Sequence, residues 1–172
     1  MGCTGLLRWG AAASLLAGLA ACGKESRPFT VQKAPAFELR DLASGQLKLS
    51  DLKGKVVVLD FWATWCGPCI HEIPEYSDFW KKNRSRGVEV VGVVVDSGEP
   101  ADIQDFVREA RIPYRQLLGT RELQEAYGVD EGLPTTFVID GEGQIRDKIT
   151  GSYPAKFRSL QETVDGLLAN QS

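Results

Sequence analysis

Residues 56–75, V-V-V-L-D-F-W-A-T-W-C-G-P-C-I-H-E-I-P-E, constrain the fold more than any other stretch, because a strand pattern there runs directly into a Cys-x-x-Cys pair. Positions 56–62 form a nearly unbroken β-branched and aromatic run, which predicts a strand covered on both faces, as in a parallel sheet. Pro68, between Cys66 and Cys69, presets φ for the first turn of a helix, where its missing N–H costs nothing. Cys66 then falls at the helix N-terminus. Unpaired N–H groups and the positive end of the helix dipole favour the thiolate there, and the thiolate is the reactive form of the sulfur. Cys69, one turn along the same face, is placed to close a disulfide with Cys66 or to resolve a mixed disulfide formed on it. The pair points to two-thiol redox chemistry carried by the Cys66–Cys69 disulfide itself, with no other cofactor.

Of the four cysteines, Cys3 and Cys22 belong to a different part of the chain. Arg8 precedes an apolar stretch over 10–21 that is broken only by Ser14 and ends in small residues, the pattern of a secretory signal. At about 1.5 Å per residue that stretch spans about 18 Å, short of the ~30 Å hydrocarbon core, which argues against a retained membrane helix. Leu19-Ala20-Ala21-Cys22 resembles the bacterial lipoprotein signal, in which the cysteine after the cleavage point carries the lipid. That resemblance makes 1–21 a signal, Cys22 a lipidation site and 22–35 a polar tether. The 172 residues less those 21 leave 151, enough for one domain with a real core. The formal charge of −3 is made of interspersed acids and bases, so nothing suggests a nucleic-acid partner. Cys66 and Cys69 remain as the free thiols, and a loop this short gains little from a structural disulfide, so the pair reads as reactive.

Period-two alternation over 36–39 and 46–49, around Ala43-Ser44-Gly45, predicts a hairpin ahead of the central strand. After the Cys pair a helix is expected to about residue 86, with Cys69, Ile73, Tyr76 and Trp80 on one face, a kink at Pro74, and Gly87 as its stop. A second buried-strand run covers 88–95. A helix over 100–110, a short strand near 114–118, a brief helix over 121–127, strands at 135–140 and 144–150 around Gly141-Glu142-Gly143, and a closing amphipathic helix over 155–169 follow. The resulting class is α/β with a mixed sheet.

Asp60-Phe61-Trp62-Ala63-Thr64-Trp65-Cys66-Gly67-Pro68-Cys69 resembles the active-site strand and helix of thioredoxin. The same segment with Glu72 and Pro74 is similar to the TlpA/ResA branch of membrane-anchored, extracytoplasmic thiol-disulfide oxidoreductases, over roughly 36–169. The resemblance implies a thioredoxin fold with an added N-terminal hairpin and an inserted helix. It implies reduction of disulfides in client proteins, apocytochrome c among the candidates, and resupply of electrons by a membrane thiol donor of the CcdA or DsbD type. Donation of a disulfide, as an oxidase or isomerase, is the alternative within the same chemistry. A non-catalytic metal- or ligand-binding lipoprotein on this scaffold is the alternative outside it. Zinc is disfavoured, because no second Cys pair exists and the lone His71 lies two residues from Cys69. The sequence also lacks the Thr-x-x-Cys arrangement of peroxiredoxins.

By the same resemblance, Leu133-Pro134 within Gly132-Leu133-Pro134-Thr135-Thr136 is a cis bond beside the disulfide whose backbone pairs with a client strand. Trp65, Gly67 and Pro68 complete the client-facing surface, Trp62 is core, and His71 points away from the thiols. Two acids are candidates for the proton relay to Cys69. Asp60 interrupts an apolar strand, where burial raises a carboxyl pKa toward a useful range, and it matches the buried acid of thioredoxin. Glu72 lies one turn after Cys69 and matches the acid of the ResA-like branch, in which the Asp60 position is usually uncharged. This chain has both. If both are buried near Cys69, their titrations are coupled.

Overall fold

The computed structural model describes residues 31–130 and 132–170. The signal over 1–21, Cys22 and the tether as far as residue 30 lie outside the described residues. The chain runs β1 (Gln32–Lys33), β2 (Glu38–Arg40), β3 (Gln46–Lys48), β4 (Val56–Trp62), α1 (Gly67–Asn83), β5 (Val88–Val94), α2 (Pro100–Glu109), β6 (Arg115–Leu118), α3 (Arg121–Tyr127), β7 (Thr135–Ile139), β8 (Gln144–Thr150) and α4 (Lys156–Ala169). Six strands form one sheet in the order β1-β8-β7-β4-β5-β6, and β2 and β3 form the expected hairpin as a separate two-stranded sheet. The sheet is mixed. β4 pairs parallel with β5 and antiparallel with β7, so it sits at the centre with a buried strand on each side.

All seven residues of β4 are buried, and their alternation sorts them onto two covered faces. Val57, Leu59 and Phe61 pack with Val91 and Val93 of β5, Leu123 and Tyr127 of α3, and Leu39 and Leu47 of the hairpin. Val56 and Val58 pack with Tyr76 and Phe79 of α1 and with Leu160 and Val164 of α4. Burying an aliphatic or aromatic side chain is worth about 1.5–3 kcal/mol, so the apolar residues of β4 contribute on the order of 10 kcal/mol before conformational entropy is subtracted. Asp60 is the exception in this strand. It occupies the second face, between Val58 and Trp62.

At the end of β4, Trp62 donates from Nε1 to Oε1 of Gln116 in β6 at 2.9 Å and packs on Phe106 of α2 at 5.7 Å between ring centroids. This places Trp62 in the core, as expected. The Gln116 carboxamide lies against Gly92 of β5, where any Cβ would collide with it, so the small residue makes room for the Trp62–Gln116 bond.

Two boundaries differ from expectation. Gln32–Lys33 pairs antiparallel with β8 and Ala34 is buried, so the sheet begins inside the segment 22–35 read as tether. Both strand residues are exposed, and their pairing rests on backbone hydrogen bonds that leave no apolar alternation in the sequence. α1 ends at Asn83, and residues 84–86 continue as one 3-10 turn, the usual tightening of a helix end, before Gly87 takes φ 87°.

Candidate active site

The loop between β4 and α1 is held at several points before the first cysteine. The Thr64 N–H donates to Ser97 Oγ at 2.9 Å, and Ser97 in turn donates to the Val95 carbonyl at 2.8 Å. Trp65 donates from Nε1 to the Asp96 carbonyl at 2.7 Å while its indole stays 65% exposed. An aromatic surface this open beside buried sulfurs is suited to apolar contact with a partner.

Cys66 is the N-cap of α1, with Gly67 and Pro68 exposed in the first turn. The Cys69 N–H points at Cys66 Sγ at 3.3 Å, so a helix N–H faces the sulfur as the spacing predicts. Cys66 and Cys69 are joined in a disulfide with an S–S distance of 1.97 Å, and both are buried. They pack with Trp62, Ala63, Ile73 and Ile103, and Leu133 leans on the same cluster. The Leu133–Pro134 peptide is cis, and Pro134 is fixed through its carbonyl, which accepts from Gly151 N at 2.8 Å. The structure therefore brings Leu133, the residue before Pro134, against the cluster that holds Cys66 and Cys69, with Trp65, Gly67 and Pro68 adjoining the cysteines in the chain. His71 is exposed on the other side of α1.

Beneath the disulfide, α1 turns Cys69, Glu72, Ile73 and Tyr76 toward the sheet. Both candidate acids are buried there, Asp60 at 4% exposure and Glu72 at 5%, in unlike surroundings. Asp60 Oδ1 accepts from Tyr76 Oη at 2.9 Å and from Thr136 Oγ1 at 2.9 Å, and those two hydroxyls are themselves 2.7 Å apart. While Asp60 is ionised, the three oxygens share only two hydroxyl hydrogens; a proton on Oδ1 supplies the third. Burial pushes the Asp60 carboxyl up from 3.8 to about 6. The charge of Lys156 and the Thr136 and Tyr76 hydrogen bonds oppose the rise, while Glu72 adds to it. Burial, reinforced by the charges of Asp60 and Glu72, also raises the Tyr76 and Tyr114 phenols well above their ordinary range, so both are neutral.

Glu72 has a different partner. Lys156 Nζ, from the start of α4, donates to Glu72 Oε2 at 2.6 Å, and the lysine is fully buried. Its ammonium also lies 5.4 Å from the centre of the Tyr76 ring. The sequence reading missed Lys156, Tyr76 and Thr136 as parts of this cluster. Lys156 carried a legible signal: it is in helical register with Leu160 and Val164, which are equally buried, so a lysine begins an apolar row. Among the described residues no group of His, Cys, Asp and Glu is arranged to hold a metal ion.

A dithiol on a helix N-terminus above a protonatable carboxyl has the parts for thiol-disulfide exchange, and comparison with known proteins agrees. The AhpC/TSA family model matches residues 30–148. Thiol-disulfide oxidoreductase ResA of Bacillus subtilis is 41% identical over 120 residues, 69% of this chain and 66% of that protein. The ResA of Bacillus cereus is 37% identical over 122 residues, 70% of this chain and 69% of that protein. A crystal structure of a thiol:disulfide interchange protein of the thioredoxin family from Chlorobium tepidum superposes with a TM-score of 0.70 at 30% identity, over 81% of this chain and 98% of that one. The chain belongs to the AhpC/TSA family, among its thioredoxin-like thiol-disulfide oxidoreductases.

Proposed function

We propose that this protein reduces disulfides in client proteins outside the cytoplasm, held at a membrane by a lipid on Cys22. The observation that carries the redox part is Cys66 at the N-cap of α1, with the Cys69 N–H on its sulfur and Gly67-Pro68 between the two cysteines. The Cys66 thiolate attacks a client disulfide, one client sulfur leaves, and a mixed disulfide forms. Cys69 then loses its proton and attacks Cys66 Sγ. The Cys66–Cys69 bond forms, the mixed disulfide breaks, and two electrons have passed to the client. The electrons reside in the cysteine pair and no further cofactor takes part. Leu133 packs on the cysteine cluster and Trp65 is exposed next to Cys66, and together with the Leu133–Pro134 backbone they supply the contact surface for an extended client segment.

Gly67-Pro68 is the thioredoxin dipeptide, and thioredoxin lies at the reducing end of the scale, near about −270 mV. Equilibration of the Cys66/Cys69 pair with a glutathione buffer is the direct test. A potential below about −200 mV is expected, and one well above it makes the protein a disulfide donor instead. A reductase in an oxidising compartment needs resupply, which assigns the reducing partner to a membrane thiol conduit of the CcdA or DsbD kind. Apocytochrome c before haem attachment is the client proposed from the family resemblance.

The anchor rests on Leu19-Ala20-Ala21-Cys22 and the polar residues that follow. No helix among the described residues is long and apolar enough to cross a membrane. Cell fractionation of a Cys22→Ser variant is expected to move the protein from the membrane pellet to the soluble extracytoplasmic fraction. Retention in the pellet would remove the lipid from the proposal.

A further inference from the structure

Lysine is almost never fully buried unless it is paired, and Lys156 is fully buried at the first position of α4. An ammonium in such a place keeps its charge only through a close anion, and Glu72 Oε2 at 2.6 Å is that anion. The pair sits beside the residues that do the chemistry. Glu72 is one turn after Cys69 on α1, Tyr76 follows one turn later, and the Tyr76 hydroxyl is hydrogen-bonded to Asp60. One cation therefore serves two buried acids, and it is in contact with only one of them.

We propose that Lys156 is a positioning residue for thiol-disulfide exchange: it holds the Glu72 side chain in a buried ion pair and leaves Asp60 to take up the Cys69 proton. The proposal rests on the dithiol exchange described above and holds for either direction of electron flow. In the resolving step the Cys69 proton passes to the Asp60 carboxylate, Cys69 sulfur attacks Cys66 Sγ, and the client leaves as a thiolate. Asp60 then returns the proton to solvent or to that thiolate.

Each group packed around Asp60 fits this division. From β7, Thr136 offers a hydroxyl and no charge. From α1 come the neutral Tyr76 phenol and the Glu72 carboxylate, and ahead of β6 lies the neutral Tyr114 phenol. From α4 comes Lys156, which favours the ionised form of Asp60, while Glu72 disfavours it. Glu72 also lines an open cleft of about 300 Å³ with Glu75, Tyr153 and Phe157, and Glu75 is the exposed charge on that side. The ion pair thus tunes Asp60 in two opposed ways, and the consequences of breaking it from either end are opposite in sign.

The experiment follows the two half-reactions with a peptide carrying a single disulfide, in rapid-quench single turnover between pH 4.5 and 9. Formation of the mixed disulfide on Cys66 is separated from its resolution by Cys69. In the parent protein resolution accelerates as pH rises through the range where Asp60 ionises. Lys156→Met removes the neighbouring cation, and the resolution midpoint is expected to rise by about one pH unit or more, with attack by Cys66 changed much less. Lys156→Arg restores the parent profile. Glu72→Gln leaves the cation without its anion and is expected to move the midpoint down. Glu72→Gln/Lys156→Met removes both charges together, avoids an unpaired buried ion, and brings the midpoint back toward the parent value. The double variant keeps the test decisive if Lys156→Met fails to fold: a lost resolution step there, with Lys156→Arg active, means that Glu72 itself carries the proton and overturns the proposal. Equal slowing of both half-reactions with an unmoved midpoint overturns it too, because Lys156 is then structural. If the parent protein neither forms nor resolves the adduct, the exchange reaction itself fails, separately from the role of Lys156.

Discussion

Cys69→Ala is expected to convert the protein into a trap. Attack by Cys66 survives, because the helix N-terminus that stabilises its thiolate is built from backbone and from Pro68. Resolution is lost, because the second sulfur is gone, so the client stays joined to Cys66 and turnover falls to the background rate of other thiols. The fold is expected to survive. The Cys66–Cys69 loop closes over three positions, for which the chain-entropy account gives only about 2 kcal/mol, and Cys69 is a small side chain in a large core. Incubation of the reduced variant with a client disulfide, followed by non-reducing electrophoresis and mass analysis, should show a near-stoichiometric adduct on Cys66. Cys66→Ala should show none. A Cys69→Ala protein that turns over like the parent, or whose adduct lies on another residue, would refute the assignment of the two sulfurs. The same captured chains identify the clients.

Asp60→Asn has the second large effect, and it acts on stability and on chemistry in opposite directions. The Asp60 carboxyl titrates near 6 in the folded protein against 3.8 as its ordinary value, so the fold prefers the protonated form. For a carboxyl raised in this way the favourable contribution is fully present below about pH 4, falls as pH rises through 6, and is lost above it. About two pH units correspond to about 3 kcal/mol of destabilisation at neutral pH. Asparagine keeps an acceptor for the Tyr76 and Thr136 hydroxyls and cannot ionise. The variant should therefore unfold at higher denaturant at pH 8, by about 3 kcal/mol, and match the parent near pH 4. On the proposed relay the same substitution removes the acceptor of the Cys69 proton, so resolution should slow by a factor on the order of 10² while attack by Cys66 is little changed. Equal stabilities at pH 8 would show that Asp60 is not held above its ordinary range, and an unslowed resolution step would move the relay to Glu72 or to water. An unfavourable buried carboxylate of this kind is what the proposed relay would require.

Much of the frame was readable because its signals are local. The run over 56–62 could only satisfy its apolar side chains by being covered on both faces, and Pro68 fixed the start of α1 whatever the rest of the chain did. The hairpin showed in its alternation, and the cis peptide at Pro134 was reached through the motif around it. β1 was not readable. Gln32 and Lys33 are both exposed, and their strand exists only because β8 presents a free edge to them. Lys156 was not read either, because a lysine near a helix start is usually solvated, and its burial depends on an acid 84 residues earlier.

The division within the site has the same origin. The sequence alone determined where the cysteine pair lies: spacing, Pro68 and the strand before it place one sulfur on a helix N-terminus and a second one turn away, through constraints that act within a few residues. It also delivered two acids, Asp60 and Glu72, without distinguishing them. Only the tertiary structure did so, since their difference lies in partners brought in from elsewhere, Thr136 from 76 residues beyond Asp60 and Lys156 from α4. A carboxyl group's affinity for a proton is set by burial and by the charges and donors within a few ångströms, and packing alone decides which those are.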